Sequence, residues 1–273
     1  MPRHHIGERN GGCSLFRWKL GIPNFCKGLY VNVALRPQSL NIISLCTGGG
    51  GLDLGVELAI PSARSVVLVE REAFACSHLV SAMQQGLMAE AALWSDVTTF
   101  DGRPWRGLVD GLIGGIPCQP HSLAGKRLGE DDERDLWSDA RRILVQSGAW
   151  FALIENVRGM LSSGGAERVW RDLHRLGFQV EGGLFTAAEV GASHERERIF
   201  ILASAPELEP AFRRVADGLA SRLDIARVDR LRMLGNGVVS LLAAYALRTL
   251  TARLASRGSA GATRLLGMME LAA

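Results

Sequence analysis

The chain lacks paired cysteines. Its five, Cys13, Cys26, Cys46, Cys76 and Cys118, are odd in number and include no CxxC and no paired histidine spacing. That excludes a disulfide framework and a zinc site and points to a reducing compartment. Long apolar runs are missing too. The stretch from Gly237 to Leu247 is broken by Arg248 and falls far short of the roughly 20 residues a membrane span requires. The N-terminal stretch holds no apolar region suited to a signal peptide, so the expectation is a cytoplasmic protein with neither a membrane nor a metal partner. Nucleotide fingerprints are absent as well. Counting a G-x-G-x-x-G from Gly48 places Asp53 sixth, and from Gly49 it places Leu54, so no dinucleotide loop is present. No G-x-x-x-x-G-K-[ST] follows, which removes a triphosphate loop. Internal repeats and low-complexity tracts are also wanting.

What is present is a composition able to build a large core, 47% hydrophobic and 22% charged over 273 residues, with a formal charge of +3. That sign alone only hints at a polyanionic partner. Residues 1–39 show no sustained period and read as an irregular lead. From Leu40, β-branched runs (NIISL, SVVLV, GLVDGLIGG, WFALI, RIFILA) alternate with helical stretches. In GLDLGVELA, residues Leu52, Val56 and Ala59 share a stripe. In AERVWRDLHRLG, Val169, Leu173 and Leu176 do so, and Gly177 is placed to end the helix. Such alternation predicts an α/β fold, a mostly parallel sheet with helices on both faces. The main domain is expected over 40–250, with a tail over 251–273. In a parallel sheet the strand ends share one edge, where ligands bind. Gly48, Glu70, Cys118 and Glu155 all fall at such ends.

The turn CTGGGGLDLG leaves a strand and enters a helix, so its glycines allow positive φ and close approach to a ligand. Glu70, ending the next strand, is a carboxylate able to hold ribose hydroxyls, and the pair suits a nucleoside without a phosphate chain. Cys118 is a thiol fenced by Pro117 and Pro120 at a strand end. In SHERERIF an extended backbone puts His194, Arg196 and Arg198 on one face with Glu195 and Glu197 opposite.

In this order the motifs resemble those of DNA (cytosine-5)-methyltransferases. LCTGGGGLDLG is similar to the family's first motif, VLVERE to the second, SDVT to the third and PCQPHS to the fourth. ENV is similar to the sixth, HERER to the eighth (usually QxRxR) and LGNGV to the tenth. The resemblance implies a Rossmann-like fold that depends on S-adenosyl-L-methionine, with DNA as partner. It implies Cys118, Glu155, Arg196 and Arg198 as catalytic residues. Toward the cofactor it implies Cys46, Thr47, Gly48, Gly50, Gly51, Leu52, Glu70, Arg71, Asp96, Val97, Pro117, Asn236 and Val238. Toward DNA it implies Gln119, Ser122, Lys126 and Arg127. The chemistry implied is thiolate attack at cytosine C6, a proton shared between Glu155 and the N3/N4 edge, and methyl transfer to C5 of a flipped base.

Three departures stand out. Arg71 occupies the place of an aromatic residue that stacks on adenine, and Cys46 that of a phenylalanine. Between RIFILA and VDRLRMLGNGV only a short arginine-bearing bridge (204–228) replaces the long target-recognition region, too little to fold a domain. Target selectivity is therefore expected to be low or to reside in a separate subunit. Two alternatives stand beside the DNA enzyme: an RNA cytosine methyltransferase of the same fold, and a cofactor-binding accessory subunit. A nicotinamide-linked dehydrogenase is disfavoured by the glycine spacing.

Overall fold

The structure is a computed structural model that describes residues 39–116, 136–193, 196–206 and 237–270. Among these, seven strands form one sheet in the order β3-β2-β1-β4-β5-β7-β6. The strands are β1 (Leu40–Leu45), β2 (Ala63–Val69), β3 (Ala92–Trp94), β4 (Gly111–Gly115), β5 (Phe151–Val157), β6 (Gln179–Thr186) and β7 (Glu197–Ser204). β1 to β5 pair in parallel, and β7 runs antiparallel to both β5 and β6. The helices are α1 (Gly51–Ala59), α2 (Ala73–Gln84), α3 (Trp137–Ser147), α4 (Gly159–Ser162), α5 (Gly165–Arg175), α6 (Gly237–Ser256) and α7 (Ala260–Glu270).

Strand side chains alternate between two apolar layers, as the pleat requires. Ala152, Ile154, Ile199, Ile201 and Ala203 join α3 and α5 on one face through Ile143, Leu144, Val169 and Leu173. Phe151, Leu153, Phe200 and Leu202 join α1, α6 and α7 on the other through Val56, Ala59, Leu247, Leu250 and Leu265. A sheet buried on both faces is what the near-continuous apolar runs predicted. Each fully buried Leu, Ile or Phe contributes about 1.5–3 kcal/mol.

Some expectations shift. Glu155, read as following its strand, lies within β5, opposite Gly115 on one side and Phe200 on the other. Leu176, placed on the buried stripe of α5, is exposed because the helix ends at Arg175 and Leu176 is its cap. Gly177 takes φ +86 as a helix terminator should. Trp94, about half exposed, packs edge-on against Phe100 and donates from Nε1 to Thr99 Oγ1 at 3.2 Å. In the C-terminal stretch, residues 251–256 complete α6, and α7 buries Ala262, Leu265 and Met269. Glycine lets the layers meet closely at α1, where a Cβ on Gly55 would lie 2.5 Å from Ala243 Cβ.

Candidate active site

The turn after β1 is shaped by its backbone. Gly48 and Gly50 take φ +55 and +77, and Gly50 caps the start of α1. Cys46 adopts φ +51, a conformation costly for a residue with a side chain. Thr47 N donates to Val69 O at 3.2 Å and Gly50 N to Thr47 O at 2.9 Å. Glu70, at the end of β2, clasps the turn from outside. Its Oε2 accepts from Gly48 N at 2.7 Å and its Oε1 from Glu72 N at 2.8 Å.

On the next strands, Arg198 Nε lies 2.8 Å from Glu155 Oε1. This contact follows from register, since Val157 of β5 faces Arg198 of the antiparallel β7. Glu197 points away and pairs with Arg158 at 2.7 Å, as the strand alternation predicted. Gly115 leaves room for the carboxyl; a Cβ there would sit 3.4 Å from Glu155 Oε2. Burial pushes the Glu155 carboxyl above its ordinary value, and the opposing pull of Arg198 and then Arg196 does not cancel it. Arg196 is lowered by burial and by the like charge of Arg198, against the pull of Glu155. Its Nε is buried without a hydrogen-bond partner among the described residues.

These two halves share one cleft of about 270 Å³. Cys46, Thr47, Gly48, Gly51 and Leu52 line it from the turn, and Glu155 of β5 and Arg196, just ahead of β7, from the far side. Arg198 stands behind Glu155, and Glu70 behind Gly48. Other expected residues lie elsewhere. Val97 is buried in the core, and its carbonyl accepts from Arg142 Nη2 at 2.9 Å. Asp96 is partly exposed, and hydrogen bonds from Thr98 N and Oγ1 hold its carboxyl below the usual range, with a small contribution from Arg71. Pro117, Cys118, Gln119, Ser122, Lys126, Arg127, His194, Asn236, the Val238 side chain and the bridge from 207 lie outside the described residues.

The sequence reading missed Ser44, Asp53, Gly115, Phe200 and Ala243, all of which line the cleft. Asp53 carried a legible signal, a carboxylate on an otherwise apolar helix. Asn156 was quoted within ENV but given no role. It is buried, and its Nδ2 donates to Ile116 O at 3.1 Å, fixing the exit of β4 that leads to residue 118.

Two thiols can be assessed directly. Burial, and then the charge of Glu70, push Cys46 up to about 12. Cys76 is also raised, by burial and Glu70, and its Sγ donates to Glu70 O at 3.2 Å. Neither has thiolate character, so neither is an activated nucleophile. Among the described residues no group of His, Cys, Asp and Glu is arranged to hold a metal ion. No helix there is long and apolar enough to cross a membrane.

Comparison with known proteins meets this geometry. The chain is 36% identical to the Type II methyltransferase M.NgoMIV of Neisseria gonorrhoeae over 164 residues, 59% of this chain and 50% of that protein. It is 32% identical to M.NaeI of Lentzea aerocolonigenes over 180 residues, 64% and 42% of the two chains. The chain thus spans about half the length of the curated relatives it matches. A DNMT2 variant from Spodoptera frugiperda shares the fold with a TM-score of 0.51 at 24% identity, over 66% of this chain and 54% of that one. S. pombe Dnmt2 does so with a TM-score of 0.50 at 22% identity, over 67% and 58%. Residues 40–246 match the family described as C-5 cytosine-specific DNA methylase, and the chain belongs to that family.

Proposed function

We propose that this chain transfers a methyl group from S-adenosyl-L-methionine to C5 of cytosine in DNA. One observation supports this above the rest: a carboxyl with a raised pKa, steadied by a guanidinium at 2.8 Å, faces the same cleft as the glycine turn. A carboxyl raised by burial gives up its proton less readily, which suits it to sharing that proton with a ring nitrogen.

The turn fits the cofactor by its donor set. The space beside the Gly48 Cα is open, with nothing within 4 Å of a Cβ placed there. The Glu70 carboxylate beside it can accept from sugar hydroxyls while keeping Gly48 N. Cys46, Thr47, Gly48, Gly51 and Leu52 would hold the group, and when bound it supplies an electrophilic methyl on sulfur. Glu155 donates toward cytosine N3 and accepts from the N4 amine, which makes C6 open to attack. Cys118 as thiolate forms the bond to C6, and the electron pair moves to C5. C5 then takes the methyl group, the donor leaving as a neutral thioether whose sulfur keeps the bonding pair; C5 gives its proton to solvent, N3 returns its proton to Glu155, and the C6–S bond breaks to return the thiolate. Arg198 keeps the Glu155 carboxyl in place, and Arg196 adds positive potential over the cleft. The target base must leave the stack to reach the cleft, at a cost of about a few kcal/mol.

The short bridge between the segments resembling the eighth and tenth motifs supports a second element in this reading: target recognition is supplied by another chain. The direct test incubates the protein with methyl-labelled S-adenosylmethionine and duplex DNA, with transfer RNA in parallel, and locates the label. Label on DNA cytosine C5 is expected. A 5-fluorocytosine duplex should trap wild-type protein but not Cys118→Ala. If the wild-type chain neither binds cofactor nor forms the adduct, even with a candidate partner present, the reading fails.

A further inference from the structure

We infer that Asp53 is the positioning residue of the cofactor half of the cleft: it sits beneath the glycine turn, fixes the turn through Ser44 and Thr47, and takes its own bearing from Ser65 on β2. This deepens the methyltransferase reading and rests on it for the identity of the ligand.

Asp53 lies in the first turn of α1 and is 1% exposed. Ser65 Oγ donates to its Oδ1 at 2.5 Å, and Ser44 Oγ to its Oδ2 at 3.1 Å. Thr47 Oγ1 continues the chain, 3.1 Å from Ser44 Oγ and 3.2 Å from Ser44 O. The hydroxyls of Ser44 and Ser65 both donate to Asp53 from opposite sides, and that of Thr47 reaches Ser44 Oγ, Ser44 O and, at 3.5 Å, Val69 O. A carboxylate only accepts, so it fixes the rotor of each hydroxyl that donates to it. Leucine at this place on α1 would fill the core without the cost of burying a charge. What the carboxylate adds is orientation, helped by its place at the helix N-terminus.

The arrangement grips the turn from two sides. Glu70 holds Gly48 N from outside, and the Asp53 cluster holds Thr47 from beneath. Ser44, Thr47 and Asp53 line the cleft, whereas Ser65 does not. Ser65 can therefore influence a ligand there only through Asp53, which makes it the cleaner probe. A turn held in shape before the ligand arrives loses less freedom on binding, and affinity rises accordingly.

The test compares Ser65→Ala and Asp53→Asn with Ser259→Ala in the full chain. Ser259 makes an equally buried hydroxyl pair with Ser204 at 2.8 Å, remote from the turn. Losing one buried hydrogen bond corresponds to about tenfold in a local equilibrium. Amide exchange in residues 47–51 of the ligand-free protein should speed up about tenfold in Ser65→Ala, and more in Asp53→Asn, with Leu112 and Ile113 unchanged. Ser65→Thr, which keeps the hydroxyl, should restore protection. Ser259→Ala should lower Tm without touching exchange at the turn. With labelled S-adenosylmethionine in equilibrium dialysis, Kd should rise about tenfold in Ser65→Ala, while kcat at saturating cofactor stays within about twofold. Exchange at the turn that matches wild type, or that rises no more than in Ser259→Ala at equal loss of Tm, overturns the assignment. Should wild-type protein fail to bind this cofactor, the methyltransferase reading falls, and the exchange comparison still decides the role of Asp53.

Discussion

Arg198 Nε and Glu155 Oε1 stand 2.8 Å apart on neighbouring antiparallel strands, each side chain only 19% exposed. Burial nonetheless outweighs the ion pair and leaves the carboxyl above its ordinary value of 4.5. Relative to the unfolded chain, folding thus shifts this group toward its neutral form.

Stability should carry that signature. A carboxyl raised on folding contributes stability that is fully present below 4.5 and is lost as pH rises through the elevated folded value. Thermal melts of wild type and Glu155→Gln are expected to converge at acid pH. As pH climbs from 4.5 toward neutrality, wild type should lose Tm relative to the variant. Parallel curves across that window would remove the buried acid from the account.

Activity should respond to the partner as well as to the acid. Glu155→Gln should lower kcat by about 10²–10⁴-fold, the usual range for a lost proton donor. Arg198→Met takes away the nearest opposing cation, so burial pushes the Glu155 carboxyl higher still. If the protonated form is the working one, the high-pH limb of kcat/KM moves to higher pH in that variant even as the maximum drops. A limb that stays put would show that Glu155 does not set it.

Close packing of α1 against α6 makes a prediction independent of chemistry. A Cβ on Gly55 would meet Ala243 Cβ at 2.5 Å and Ser240 O at 2.8 Å, and backbone cannot swing aside. Gly55→Ala should destabilise by about 1–3 kcal/mol through overpacking, read as a fall in Tm or in denaturant midpoint. A neutral result would mean that the two helices separate freely.

Asn156 offers a separable test of how the β4 exit is held. Its Nδ2 donates to Ile116 O at 3.1 Å, and its Oδ1 accepts from Val157 N at 2.8 Å. Asn156→Leu keeps the bulk and strands that buried carbonyl, at about 1–3 kcal/mol. Trapping on 5-fluorocytosine DNA should slow, while binding of S-adenosylmethionine stays near wild type. Equal losses in both would place the damage in the fold at large.

Much of the sheet was readable because buried parallel strands leave continuous apolar runs, as in NIISL and SVVLV. β3 and β6 escaped for physical reasons. β3 has three residues and little burial. β6 is an edge strand with two consecutive glycines and mostly partial burial, so neither period nor run marks it. The cleft was legible at Gly48, Glu155 and Arg196, where unusual residues interrupt a regular pattern. Ser44 and Ser65 were not, because a serine inside an apolar run looks the same whether it packs or donates. The approach of Arg198 to Glu155 needed the reversal of β7, which periodicity does not encode. Val97 shows the limit of a motif: the side chain belongs to the core, so any contact it makes with a ligand is through its backbone.

The reversal of β7 also sets where this molecule can be extended. Its eight residues carry the chain roughly 25 Å along the sheet, from the guanidiniums at the reactive mouth to Ser204 at the opposite pole, beside the first residue of β5. A segment grafted after Ser204 would start at the far edge of the sheet from Glu155 and Arg198 and would need a return limb to reach them.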